Sequence, residues 1–273
     1  MMRWISRALV IGPLVFGCAV AGAQMRISSR LEPKPDQTIH VTTSQKVSIS
    51  GNIGTQNAQI VTESVLAYKQ VNGRYDDQGR MEANLTIERV ELQQTIAGNT
   101  KSSPGLDALV GRNLTAIFDR SGKLVDVNVP KDLDQIASQL KQMTGGAYSG
   151  VNLLPVAPMA VGDTETIPSA IPLRLPGGGT SPYQTRTTTT LRSVEKSGND
   201  QIAHFEQRIE SVAQSDQLTV TGSGAVDVNL DRGFITATSA EWNFEGNDPT
   251  SSKAPSAPTA VRGTIKITVT AHE

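Results

Sequence analysis

The sequence predicts a mainly β fold, in which one long, coiled antiparallel sheet of about ten strands closes as a half-barrel or clam. Three observations carry the prediction. From Gln217 to Asp231 the even positions hold Leu218, Val220, Gly222, Gly224, Val226, Val228 and Leu230, while the odd positions are almost all polar. Val261 to Ala271 and Ala203 to Ala213 repeat this period-two alternation. One apolar and one polar face per strand marks an antiparallel sheet, because a parallel sheet is covered on both faces.

The remaining strands follow from weaker patterns. Val47 and Ile49 mark a strand near 45–53, and Ile60 to Val71 marks a second. Leu85 and Ile87 change phase to Val90 and Leu92, as a bulge at Glu88-Arg89 produces. Leu114 to Phe118 and Leu124 to Val129 flank an Asp-Arg-Ser-Gly turn, and Tyr183 to Val194 pairs with Gln201 to Ala213. Phe234 to Phe244 follows Asp231-Arg232-Gly233. Strands this long must coil in a twisted sheet. One covering helix is expected near residues 132–143. Asp132 caps it, Gln135 completes the capping box, and Leu133, Ile136, Ala137, Leu140 and Met143 form its apolar stripe.

The domain plan has four parts. Residues 1–23 read as a signal peptide: Arg3 and Arg7, an apolar run from Ala8 to Val20, then Ala21-Gly22-Ala23 before Gln24. The run falls short of the roughly 18–20 residues that span a bilayer, so no transmembrane span is expected in the mature form. Cleavage at Ala21, Ala23 and Gln24 makes the product exported, periplasmic or extracellular. The alternative is lipidation of Cys18, which follows Gly17 and would anchor the chain to a membrane. Residues 24–43, with Pro33 and Pro35, read as a flexible lead. Residues 44–273 form a single β-rich domain, divisible into similar halves at 44–150 and 180–273 by a Pro-rich crossing loop at 151–179.

Composition excludes several functions. With 25 Lys+Arg against 26 Asp+Glu, there is no net basic surface for nucleic acid. Removing residues 1–23 takes two arginines and leaves 23 against 26, a net charge of −3. A single cysteine excludes an intramolecular disulfide and a multi-cysteine zinc site. Thr221-Gly222-Ser223-Gly224 lies within a strand, not at the strand-to-helix turn of a nucleophile elbow. Gly177-Gly178-Gly179-Thr180 precedes Pro182 and a strand, so it is no phosphate loop. His40, His204 and His272 read as surface histidines, and Tyr75-Asp76-Asp77-Gln78-Gly79 as a solvated turn without calcium-loop spacing. No cofactor, metal or catalytic residue is expected.

Phe118-Asp119-Arg120-Ser121-Gly122-Lys123-Leu124-Val125, Leu154-Pro155-Val156-Ala157-Pro158 with Val161-Gly162-Asp163-Thr164, and the strand-turn-strand from Gly222 to Ala237 together resemble a family of uncharacterised exported bacterial proteins, many of them lipoproteins. The resemblance spans roughly residues 60 to 245 and implies an envelope location and a β-rich fold; it carries over no catalytic residue. The architecture also resembles the half-barrels of periplasmic lipoprotein and lipid carriers. Three functions follow as expectations. The first is a non-enzymatic cell-envelope protein, a structural or interaction module whose partner is another envelope protein. The second is a carrier or sensor of an apolar, lipid-like ligand. Its cavity would be lined by Leu218, Val220, Val226, Val228, Phe234, Trp242, Ile265 and Ile267, with Leu140 in the lid. The third is an unrecognised hydrolase. An empty cavity of several hundred cubic ångströms would favour the carrier, and a packed interior the module.

Overall fold

A computed structural model describes residues 26–28, 31–53, 56–103, 105–120, 124–130, 154–155, 157–174, 180–212, 218–247 and 260–273. Among the described residues there are twelve strands instead of about ten: β1 (Thr38–Ile53), β2 (Gln56–Tyr75), β3 (Arg80–Ile96), β4 (Asn99–Ser102), β5 (Asn113–Asp119), β6 (Leu124–Asn128), β7 (Thr164–Arg174), β8 (Thr180–Ser197), β9 (Asp200–Ser211), β10 (Leu218–Asn229), β11 (Phe234–Asn247) and β12 (Ala260–His272). All pair antiparallel in one unclosed sheet of order β6-β5-β3-β2-β1-β12-β11-β10-β9-β8-β7, with β4 beside β3. Two meanders are thus joined at a seam, where β1 pairs with β12 from His40↔His272 to Gly51↔Val261. The helical element among the described residues is a single 3-10 turn, Leu106–Leu109. The helix expected at 132–143, and Leu140 with it, lies outside the described residues, as do residues 1–23 with Cys18, Ala21, Ala23 and Gln24.

Two boundaries differ from the sequence reading. β1 opens at Thr38, so Thr38 to Thr43 belong to the sheet and not to a flexible lead. Upstream, Leu31 is buried and Ile27 bridges Met159. The prolines of 151–179 suggest a loop, yet Thr164–Arg174 is strand β7. Proline is tolerated there because β7 is an edge strand, where a missing N–H breaks no ladder. Pro168 and Pro172 also blunt this edge against further pairing. The opposite edge, β6, is five residues long, and the Asp126 carboxylate accepts the Val127 N–H at 2.8 Å. The expected bulge is present: Ala67 pairs with Arg89 and Tyr68 with Ile87, leaving Glu88 as the extra residue.

The alternation sets which face is buried. In β10, Leu218, Val220, Val226 and Val228 are at most 3% exposed, while Thr219, Thr221 and Ser223 are exposed. Glycines on the buried face make room for aromatic rings. Gly222 is the cross-strand partner of Trp242, and Gly263 that of Phe244. A Cβ on Gly222 would run into Trp242 Cδ1, and one on Gly263 into Phe244 Cζ. The glycines of β10 and β12 therefore let large rings lie flat against the sheet.

Candidate functional site

The buried face is where a ligand of an apolar carrier would sit. Leu31, Ile39, Met81, Phe118, Phe234 and Val269 are among the residues that line one apolar crevice of about 70 Å³. Phe118 stands on β5 and Phe234 on β11, five strand spacings apart in the sheet order. In a flat sheet that separation would be about 24 Å. Their meeting at one small crevice requires the sheet to coil over itself, as expected of strands this long.

All eight strand residues named for the cavity are buried: Leu218, Val220, Val226, Val228, Phe234, Trp242, Ile265 and Ile267. The structure divides them. Leu218, Val220, Trp242, Ile265 and Ile267 belong to the main core. Val226 and Val228 pack with Leu191, Ala203 and Phe205 under Leu31, Leu154 and Met159. Of the described residues named for the cavity, Phe234 alone borders the crevice. Ile39, Val41, Met81 and Phe118 were missed. Ile39 and Val41 carry a readable alternation, but the prolines just before them argue for a lead. Phe118 is recognisable as a strand residue, while its neighbours across the coil are not.

A crevice of about 70 Å³ has room for about two waters. Ligand pockets run from roughly 300 to 1,000 Å³. Among the described residues, Thr43 Oγ1 and Trp242 Nε1 are polar atoms on the buried face with no hydrogen-bond partner.

A strap of residues 31–37 closes one end of the crevice. Tyr75 donates its hydroxyl proton to the Leu31 carbonyl at 3.0 Å. Asp36 N–H donates to the Asn72 carbonyl at 2.8 Å, and Asn72 N–H to the Gln37 carbonyl at 3.0 Å. The Arg120 guanidinium lies over the Tyr75 ring, 5.1 Å from its centroid, and 3.9 Å from Glu32. Burial pushes the Tyr75 phenol up to about 12, against the opposing pull of Arg120. Beside the strap, Asp200 Oδ2 accepts from Asn229 Nδ2 at 2.9 Å and from Arg232 Nε at 2.7 Å. Those two contacts hold its carboxyl below the usual range. Arg232 also pairs with Glu273.

The other candidates resolve locally. Asp76 Oδ1 accepts the N–H groups of Gln78 and Arg80 at 2.9 and 2.8 Å, so the acidic turn uses its carboxylate to build itself. His204 Nδ1 lies 2.7 Å from Asp227 Oδ1, its cross-strand partner. His40 is on β1, not on a tether, and stacks on His272 beside Glu88. Among the described residues no group of three metal-ligating side chains occurs, and no helix is long and apolar enough to cross a membrane.

No protein-family model matches the chain, and no curated protein does. Among solved structures, one of lipovitellin, titled for its lipid–protein interactions, is similar over 86% of this chain at 12% identity, with a TM-score of 0.52. The chain spans a quarter of that protein's length. The translocator domain of the autotransporter NalP from Neisseria meningitidis aligns over 88% of this chain and 90% of its own at 9% identity, with a TM-score of only 0.23. The likeness to lipovitellin is one of fold: a large antiparallel sheet coiled around an apolar face.

Proposed function

We propose that the protein is a non-enzymatic component of the cell envelope, a structural or interaction module whose coiled sheet is filled by its own side chains. The observation that carries this reading is the small size of the apolar crevice found among the described residues. Six strands contribute to it, yet at about 70 Å³ it is too small for an acyl chain. The envelope location rests on residues 1–23 and on the resemblance to exported bacterial proteins. Fused to a reporter, residues 1–23 should direct export and leave a mature start near Gln24. A diacylglyceryl-modified Cys18 would make the protein membrane-anchored instead.

A carrier of an apolar ligand is the second reading. The likeness to lipovitellin and the unpartnered Trp242 Nε1 and Thr43 Oγ1 on the buried face favour it. One experiment separates the two: titration of the intact protein with N-phenyl-1-naphthylamine, alongside native mass spectrometry of gently purified material. The module should neither brighten the probe nor retain lipid. Saturable, stoichiometric brightening would overturn the module and establish the carrier.

A further inference from the structure

The polar face of the sheet carries a groove of about 640 Å³ that crosses five adjacent strands, β2, β1, β12, β11 and β10. Register arranges its floor in rows. Gln59 faces Ser50, Ser50 faces Arg262, and Arg262 faces Glu245. Two residues along the strands, Asn243 faces Thr221. Neighbouring strands lie about 4.8 Å apart and successive outward residues about 6.7 Å, a mesh on the scale of single sugar rings.

These side chains have unspent hydrogen-bonding capacity. Glu241 and Lys266 are register partners on β11 and β12 and close an ion pair at 3.0 Å. Glu245 and Arg262, partners on the same two strands, do not, and among the described residues neither has another partner. Asn243 Oδ1 accepts from Thr264 at 3.0 Å, which fixes the carboxamide and leaves its NH₂ as a donor. Elsewhere on this face threonines satisfy each other, as Thr164 with Thr190 and Thr166 with Thr188 do. The groove thus concentrates hydroxyls, two carboxamides, one guanidinium and one carboxylate, with no net charge. A polyanion would require several cations here. An apolar ligand would leave these groups desolvated without partners.

We propose that this groove binds a neutral oligosaccharide of hexopyranose units. Arg262 and the Asn243 NH₂ donate to sugar oxygens, and Glu245 accepts from adjacent sugar hydroxyls. The proposal rests on the interaction-module reading and gives that module its partner chemistry. It is tested by isothermal titration of the intact protein with cellohexaose, maltohexaose and chitohexaose, with dextran sulfate as the polyanion. At least one neutral hexasaccharide should bind saturably and with little dependence on salt. Arg262→Ala combined with Glu245→Ala should weaken that binding at least tenfold, while Lys266→Ala, outside the groove, should leave it unchanged. These positions are exposed, so circular dichroism should be the same for all variants. Failure of every neutral hexasaccharide to saturate overturns the proposal. So does binding that the double variant retains, or binding confined to dextran sulfate and lost in salt. None of these results alters the apolar-probe titration, which reads the opposite face and tests the module separately.

Discussion

β8 and β10 lie two strands apart in the same meander and bury their inward side chains equally, with opposite chemistry. β10 presents Leu218, Val220, Val226 and Val228; β8 presents Thr185, Thr187 and Thr189, each at most 1% exposed. Register decides burial, and the residue must then be made compatible with it. A buried hydroxyl without a partner costs about 1–3 kcal/mol. Here Ser169 of β7 meets Thr185 and Thr187 at 2.7 and 2.9 Å, and Gln207 of β9 donates to Thr189 at 3.3 Å. The aliphatic strand needs only volume, whereas the threonine strand needs particular neighbours on both sides.

Substitutions at these positions should sharpen or break the contrast. The largest effect is expected at Val228→Asp, which places an unpaired charge on a fully buried face and should cost several kcal/mol, enough to abolish cooperative melting. Alternation puts Asn229 on the polar face, where Asn229→Asp would be neutral, but the structure shows Asn229 to be only 4% exposed. Its Oδ1 accepts the N–H groups of Asp231 and Arg232 at 3.1 and 3.0 Å, and its Nδ2 donates to Asp200. Asn229→Asp removes that donor and sets a second carboxylate beside Asp200, so a loss of about 1–3 kcal/mol is expected in urea unfolding. The end of β10 should then respond as a polar site although its middle is apolar.

Exchanging the two chemistries is the direct test. Val226→Thr adds a hydroxyl among apolar neighbours and should cost about 1–3 kcal/mol. Thr187→Val leaves Ser169 bonded to Thr185 and should cost less than about 1 kcal/mol. Equal costs in parallel denaturant titrations would show that the threonine stripe is not a distinct environment. The smallest effect is expected from pH. The Asp200 carboxyl is depressed in the folded state, so its contribution is complete above the ordinary aspartate value of about 4 and drains away as pH falls below it. Asp200→Asn should flatten that acid limb in melts between pH 5 and 2 and leave the neutral region with only a general loss.

The same contrast explains what was legible. β10 and β12 are readable because aliphatic and polar residues alternate. β8 has threonine on both faces, inward at 185, 187 and 189 and outward at 188 and 190, so it carries no period-two signal in hydrophobicity. β7 was hidden because proline ordinarily breaks strands, and its edge position was unknown. The burial of Leu218, Val220, Val226, Val228, Trp242, Ile265 and Ile267 is legible in the alternation of their own strands. The crevice was not, since Phe118 and Phe234 meet only through the coiling of the whole sheet, which no local pattern records.

The seam between β1 and β12 has a consequence for how the chain is built. Of the described strands β1 is synthesised first and β12 last, yet they pair along nearly their full lengths at the centre of the sheet. Contacts so distant in sequence make folding slow. Until β12 arrives, β1 is an open edge of sixteen residues that lacks the prolines of β7 and the brevity of β6. Such an edge can accept any strand of suitable pattern, including β12 of a neighbouring chain. The expected misfolded product is therefore a strand-swapped dimer that exchanges β12, and a holdase that shields β1 should raise the yield of monomer.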